Sequence, residues 1–134
     1  MYFSKSKYTA FWKCPKIIWL DKYKPEEKEI DDGELKLMAS GNIVSDLAMT
    51  LFGDFTEVTT FDDDGKHIPD EMKRKTAECI DDGVENICEA SFDYNGLYCA
   101  ADILHKENGG YAIYEVKSLT KLKQYYFSHL ITVK

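Results

Sequence analysis

Residues 86–118 read NICEASFDYNGLYCAADILHKENGGYAIYEVKS, and the two turns inside this stretch decide the fold. Asn95-Gly96 is the strongest short-range hairpin signal, because both central residues of a type I′ turn need positive φ. Asn108-Gly109 repeats it thirteen residues on. Strand-like runs at 86–93, 97–106 and 111–118 flank the turns. The reading is an α/β chain with a mainly antiparallel central sheet, a meander over 86–118, flanked by helices.

The turns also set a register. If Asn95-Gly96 is a two-residue loop, Tyr94 pairs with Leu97, and paired residue numbers total 191. If Asn108-Gly109 is the second loop, Glu107 pairs with Gly110, and the total is 217. Asp102 then stands opposite Glu89 (191 − 102) and opposite Glu115 (217 − 102). Side chains alternate along a strand, so these carboxylates share one face, with Lys117 two residues beyond Glu115. Leu104 aligns with Ile87 and Ile113 on that face, which makes part of it apolar. Like charges placed opposite one another destabilise a sheet. The row therefore needs compensation from solvent, from Lys117 or from a divalent cation. All-oxygen donors suit Mg²⁺ or Mn²⁺.

Helices are expected ahead of this stretch in sequence. Ser4 is a natural N-cap for residues 4–23, Pro15 restarts the helix, and Pro25 ends it. Tyr8, Phe11 and Trp12 form an apolar stripe, and Trp12, Ile17, Ile18, Trp19 and Leu20 are expected to be mostly buried. A second helix is expected over 32–52, with Leu35, Met38, Ile43, Leu47, Ala48 and Leu51 in its stripe. A short strand follows at 55–60. Pro69 then opens a helix that Gly83 closes.

The chain has 134 residues and a net charge of −7, with 44% hydrophobic and 31% charged residues. That balance suits one folded domain over 1–134 and excludes a wholly disordered chain. An acidic chain is a poor nonspecific nucleic-acid coat. It remains compatible with an enzyme that gathers carboxylates around metal ions. No apolar run is long enough to span a membrane and no signal peptide is visible, so a cytoplasmic setting is expected. The clusters 31–32, 62–64 and 81–82 read as solvated turns and helix ends. Cys14, Cys79, Cys88 and Cys99 lack metal-finger spacing and are expected to be reduced. Cys88 and Cys99 read as small core hydrophobes on the face away from the carboxylates. His67, His105 and His129 share no ligand spacing.

Asp102, twelve residues and then Glu115-Val116-Lys117 resembles the signature of the PD-(D/E)XK nucleases, in the RecB-like variety related to CRISPR-associated exonucleases. Gly96-Leu97-Tyr98-Cys99-Ala100-Ala101-Asp102 is similar to that group's glycine-then-aspartate strand, with Ala101 in place of a frequent proline. The opening SKSKYTAFWKCPKIIWL, residues 4–20, is similar to the family's Cys-Pro helical segment. Gly41 to Ala48 resembles its first-motif helix.

The resemblance implies a restriction-endonuclease-like core and divalent-metal-dependent hydrolysis of DNA, single-stranded or at duplex ends. It implies metal ligation by Asp102, Glu115 and the Val116 carbonyl, with Glu89 auxiliary and Asp46 a weaker candidate. Lys117 would orient the attacking water or stabilise charge on the phosphorus. Departures are also visible. Ser45 stands about where the first motif offers a histidine, leaving Asp46 as the nearest acid. Ser128 stands where a tyrosine would follow Gln124. The chain ends sixteen residues after Ser118, so the C-terminal part of the family core is expected to be missing. Cys14 matches the first cysteine of iron–sulfur members, but no cysteine follows Lys117, so no such cluster is expected. These departures keep a second expectation open, a catalytically inactive remnant serving as a binding or assembly module. The apolar tail, from Leu119 to Val133, is expected either to form a symmetric dimer around 119–133 or to fold back on its own sheet.

Overall fold

Both Asn-Gly turns form as their chemistry demands. Asn95 and Gly96 take φ of 48° and 81°, and Asn108 and Gly109 take 52° and 79°. This is the two-residue type I′ pattern whose twist matches the flanking strands. The computed structural model describes residues 3–29 and 31–117. In chain order it contains β1 (Phe3–Ser4), α1 (Lys5–Lys13), α2 (Pro15–Tyr23), a short 3₁₀ turn (Pro25–Glu27), α3 (Asp32–Met49), β2 (Thr56–Glu57), α4 (Pro69–Asp81), β3 (Asn86–Tyr94), β4 (Leu97–Glu107) and β5 (Gly110–Tyr114).

The architecture is α/β, with four α-helices and a mixed, curled five-stranded sheet among the described residues. The register is that of the two turns: Tyr94 pairs with Leu97, Ile87 with Leu104, Glu107 with Gly110 and Leu104 with Ile113. The expectation that a meander over 86–118 makes the sheet needs correction. The strands β1 and β2 join in parallel, β1 against Leu97 and Tyr98 of β4, and β2 against Ile87 and Cys88 of β3. The last strand also stops at Tyr114. The expected strand over 55–60 is reduced to two residues, and α3 ends at Met49 rather than near residue 52. The proposed dimer segment 119–133, with Gln124, Ser128 and His129, lies outside the described residues.

Burial centres on β3 and β4. Val58, Ile87, Ala90 and Leu104 form the core cluster, with Cys79, Ile80, Val84, Phe92 and Tyr111 packed against it. The strand β3 is covered by α4, whose first turn carries Asp70 and Glu71 at the favourable end of the helix dipole. Met72 and Thr76 are the buried residues of α4. The Thr76 hydroxyl donates to the Met72 carbonyl and accepts the Ser91 amide at 2.9 Å, which locks helix to strand. Gly83 closes α4 at φ +70°.

Three expectations of burial fail. Trp12 and Trp19 are 68% and 54% exposed, and Leu20 is exposed as well. The α3 stripe of Leu35, Met38, Ile43, Leu47 and Leu51 is exposed too. Helical periodicity shows that an apolar face exists but not that a partner covers it. Cys88 is buried as expected, whereas Cys99 is exposed. Alternation places Cys99 on the face of the buried Ala101 and Ile103, yet it lies toward the end of β4 where burial fades.

Candidate active site

The site forms where β4 loses its neighbours. Along one edge, β4 is paired at Leu97–Tyr98 by β1 and from Ile103 onward by β5. Asp102 is the first residue beyond the β5 ladder. The chain leaving β5 turns across this end, and the Val116 amide donates to Asp102 Oδ2 at 2.5 Å. On the other side, the β3–β4 pairs run through Cys88↔Ile103 and Ala90↔Ala101, and the intervening Glu89/Asp102 pair is missing. Glu89 has φ +58°, an uncommon conformation for a glutamate. Both ladders thus break at the carboxylate row, where opposed like charges are least compatible with regular pairing. The register is unchanged across the break, so this is a local distortion and not an inserted residue.

Glu115 is the most heavily paired acid. Lys5 Nζ lies 2.8 Å from each of its carboxylate oxygens, and Lys117 Nζ makes a short contact with Oε1. Lys117 Nζ also donates to the Val116 carbonyl at 3.0 Å and stands 4.0 Å from Asp102 Oδ2. Burial works to raise the Glu115 pKa, but the hydrogen bonds from Lys117 and Lys5 outweigh it and hold the carboxyl below its ordinary value. Asp102 is shifted the other way. Burial pushes it up, the Val116 hydrogen bond opposes the rise, and Glu115 adds to it. Glu89 is raised chiefly by burial, and then by Asp102 and Glu57.

Asp102, Glu115 and Lys117 are therefore brought together, and Glu89 is coupled to them through charge. Asp46 is not. It sits exposed on α3, and no interaction among the described residues joins it to the cluster. Ser45 lies on the same helix. His67 and His105 stay away as well. His105 stacks on Phe52 and bonds Asn86 Oδ1 at 2.7 Å, while His67 packs on Phe61. Among the described residues the four cysteines are free, and burial raises the Cys88 thiol to about 11, far from the reactive range.

Among the described residues, no group of three or more His, Cys, Asp and Glu side chains is placed to hold a metal ion. The donors still match a hard cation in kind. Asp102 and Glu115 offer carboxylate oxygens, and Mg²⁺ is commonly held by one or two carboxylates together with substrate phosphates. The Val116 carbonyl, expected as a further ligand, instead accepts from Lys117. Beside Glu115 and Lys117 opens a cleft of about 700 Å³ bounded by α1, α2 and the segment after them, and its lining carries both signs, Lys5, Lys13 and Lys24 together with Asp21, Glu27 and Glu29.

Lys5 is the residue the sequence reading missed. A signal existed: it is the first residue of a helix with no acid in its first turn, the end where a cation is disfavoured. Glu115, 110 positions away in sequence, supplies the missing negative charge. No family model, curated protein or solved structure matches the chain. No helix among the described residues is long and apolar enough to cross a membrane.

Proposed function

We propose that this domain is a divalent-metal-dependent phosphodiesterase acting on DNA, built on a restriction-endonuclease-like core of the PD-(D/E)XK type and working in the cytoplasm. The observation that carries the reading is the convergence of Asp102, Glu115 and Lys117 at the frayed end of the β4–β5 pairing. Chain segments fourteen residues apart deliver two acids and a lysine to one spot beside an open cleft. Asp102 and Glu115 would hold Mg²⁺ or Mn²⁺, with Glu89 auxiliary through water. When bound, such an ion supplies Lewis-acid polarisation of a phosphoryl oxygen and a more acidic water. Val116 fixes Asp102 through its amide, so the carboxylate is presented in one orientation. Lys117 bridges both acids and reaches the cleft. There its ammonium can orient water, or stabilise charge developing on the phosphoryl oxygens.

A second reading, a non-catalytic binding or assembly module, draws support from the two lysines that already neutralise Glu115. Incubation of the whole chain with single-stranded and duplex DNA in Mg²⁺ or Mn²⁺ separates the two. Cleavage that disappears in Asp102→Asn and Lys117→Met is the expected result. Retained cleavage in both variants would refute the site. DNA binding without cleavage in any form would favour the module.

A further inference from the structure

We propose that Lys5 is a built-in counter-cation of the site: it occupies Glu115 in the metal-free protein and competes with a divalent ion for it, so that ion binding loosens α1 from residue 115. The inference rests on the metal-site part of the reading above. Lys5 Nζ spends all three of its protons locally, on the two Glu115 oxygens at 2.8 Å and on the Ala100 carbonyl at 3.3 Å. It straddles the carboxylate, facing both oxygens that a cation would use. Its backbone is equally committed. Ser4 caps α1 by accepting the Lys7 amide, and Phe3 and Ser4 pair with Leu97 and Tyr98 on the same strand that carries Asp102. The ammonium therefore arrives by construction and not as a stray surface contact.

A lysine at the first position of a helix opposes the helix dipole. The sequence accepts that local cost where the lysine meets an acid from a distant part of the chain. Lys117 already shares Oε1 of Glu115, but Lys5 faces both oxygens, so a divalent ion arriving there is repelled most directly by Lys5, in a half-buried setting where screening is weak. An entering divalent ion must then push Lys5 aside, and the contact between α1 and residue 115 goes with it. Both tryptophans of the chain, Trp12 and Trp19, lie on α1 and α2, so the movement carries its own reporter.

The test is Mn²⁺ binding, followed by electron paramagnetic resonance of free Mn²⁺, with wild type, Lys5→Met, Lys5→Arg and Lys5→Met/Glu115→Gln. Lys5→Met should bind Mn²⁺ about tenfold tighter than wild type or better, because a repelling charge is gone. Lys5→Arg, which keeps the charge, should match wild type, and adding Glu115→Gln should abolish the gain. In wild type, Mn²⁺ should speed amide exchange across residues 5–13 and shift tryptophan fluorescence. Equal, weaker or absent Mn²⁺ binding by Lys5→Met overturns the proposal. Wild type that binds Mn²⁺ with unchanged exchange over 5–13 also overturns it, and that arm needs no variant to fold. Tighter binding by Lys5→Met with no DNA cleavage by any form would remove the phosphodiesterase reading and leave this one standing.

Discussion

Replacing Asp102 with asparagine should make the protein more stable while removing its proposed chemistry. The carboxyl is only 23% exposed on its side chain, and Glu89 and Glu115 lie close enough for like-charge repulsion with it. Asparagine keeps the shape and keeps an oxygen for the Val116 amide. What disappears is a charge opposed by two neighbours, each such relation costing about 0.2–1 kcal/mol in a sheet. The lost attraction to Lys117, 4.0 Å away and partly in solvent, offsets about 0–1 kcal/mol. The net expectation is a gain of about 1 kcal/mol at pH 7, or about 3–6 °C in Tm for a domain of this size. The pH dependence follows from the raised pKa. Folded Asp102 holds its proton more tightly than the unfolded chain does, so wild-type stability falls as pH rises from the ordinary value of 3.8 through the raised one. Thermal melts followed by circular dichroism should show the gain at pH 7 and its loss well below pH 3.8. A variant less stable than wild type at pH 7, or a gain independent of pH, would refute the reasoning.

Glu115→Gln should behave oppositely. Its carboxyl is held below 4.5 in the folded state, so it stabilises above that value and the contribution fades as pH falls through the lowered one. Urea titration should show a loss of about 1 kcal/mol at pH 7 that closes in acid. Ile87→Ala empties a fully buried position in the core cluster and should cost about 2–5 kcal/mol by the same assay. Asn86→Ala strips the Phe52 and Asp54 carbonyls and His105 of their shared partner. A cost of about 2–3 kcal/mol is expected, with faster amide exchange in residues 50–54. Gly83→Ala should cost about 1 kcal/mol in denaturant, because φ is +70° and an added Cβ would meet Lys106 Nζ at 2.9 Å.

Legibility in the sequence followed the range of the forces involved. The β3–β4–β5 register was readable because each Asn-Gly turn fixes pairing through positive φ at two adjacent residues, and alternation carries that information along the strands. Helices α1, α2 and α4 were readable from Ser4, Pro15, Pro69 and Gly83, whose effects are also local. The strand β1 was not, because Phe3–Ser4 is too short to show a period, and β2 was read as a strand over 55–60 that shrinks to Thr56–Glu57. Part of the site was readable for the same reason as the register: Asp102, Glu115 and Lys117 all lie within one turn's reach. Lys5 was hidden because its position depends on β1, and the placement of Asp46 was not legible because a helix face says nothing about which strand it meets. The distortion at Glu89 reflects competition between ladder regularity and charge, which no single strand pattern encodes.

The parallel seam between β1 and β4 also bears on time. Hairpin closure around residues 95–96 and 108–109 joins near neighbours and belongs to the microsecond regime. Seating Phe3 against Leu97 requires closing a loop of more than ninety residues, a slower event with little local reward beforehand. The acids Asp102, Glu89 and Glu115 are therefore assembled early, and the lysine that neutralises Glu115 arrives only when the first residues dock. Between those events only Lys117 offsets the negative row of the nascent sheet. The N-terminal strand then acts as the closing clasp of folding, and a chain synthesised from its N-terminus must hold that clasp open until residue 98 has emerged.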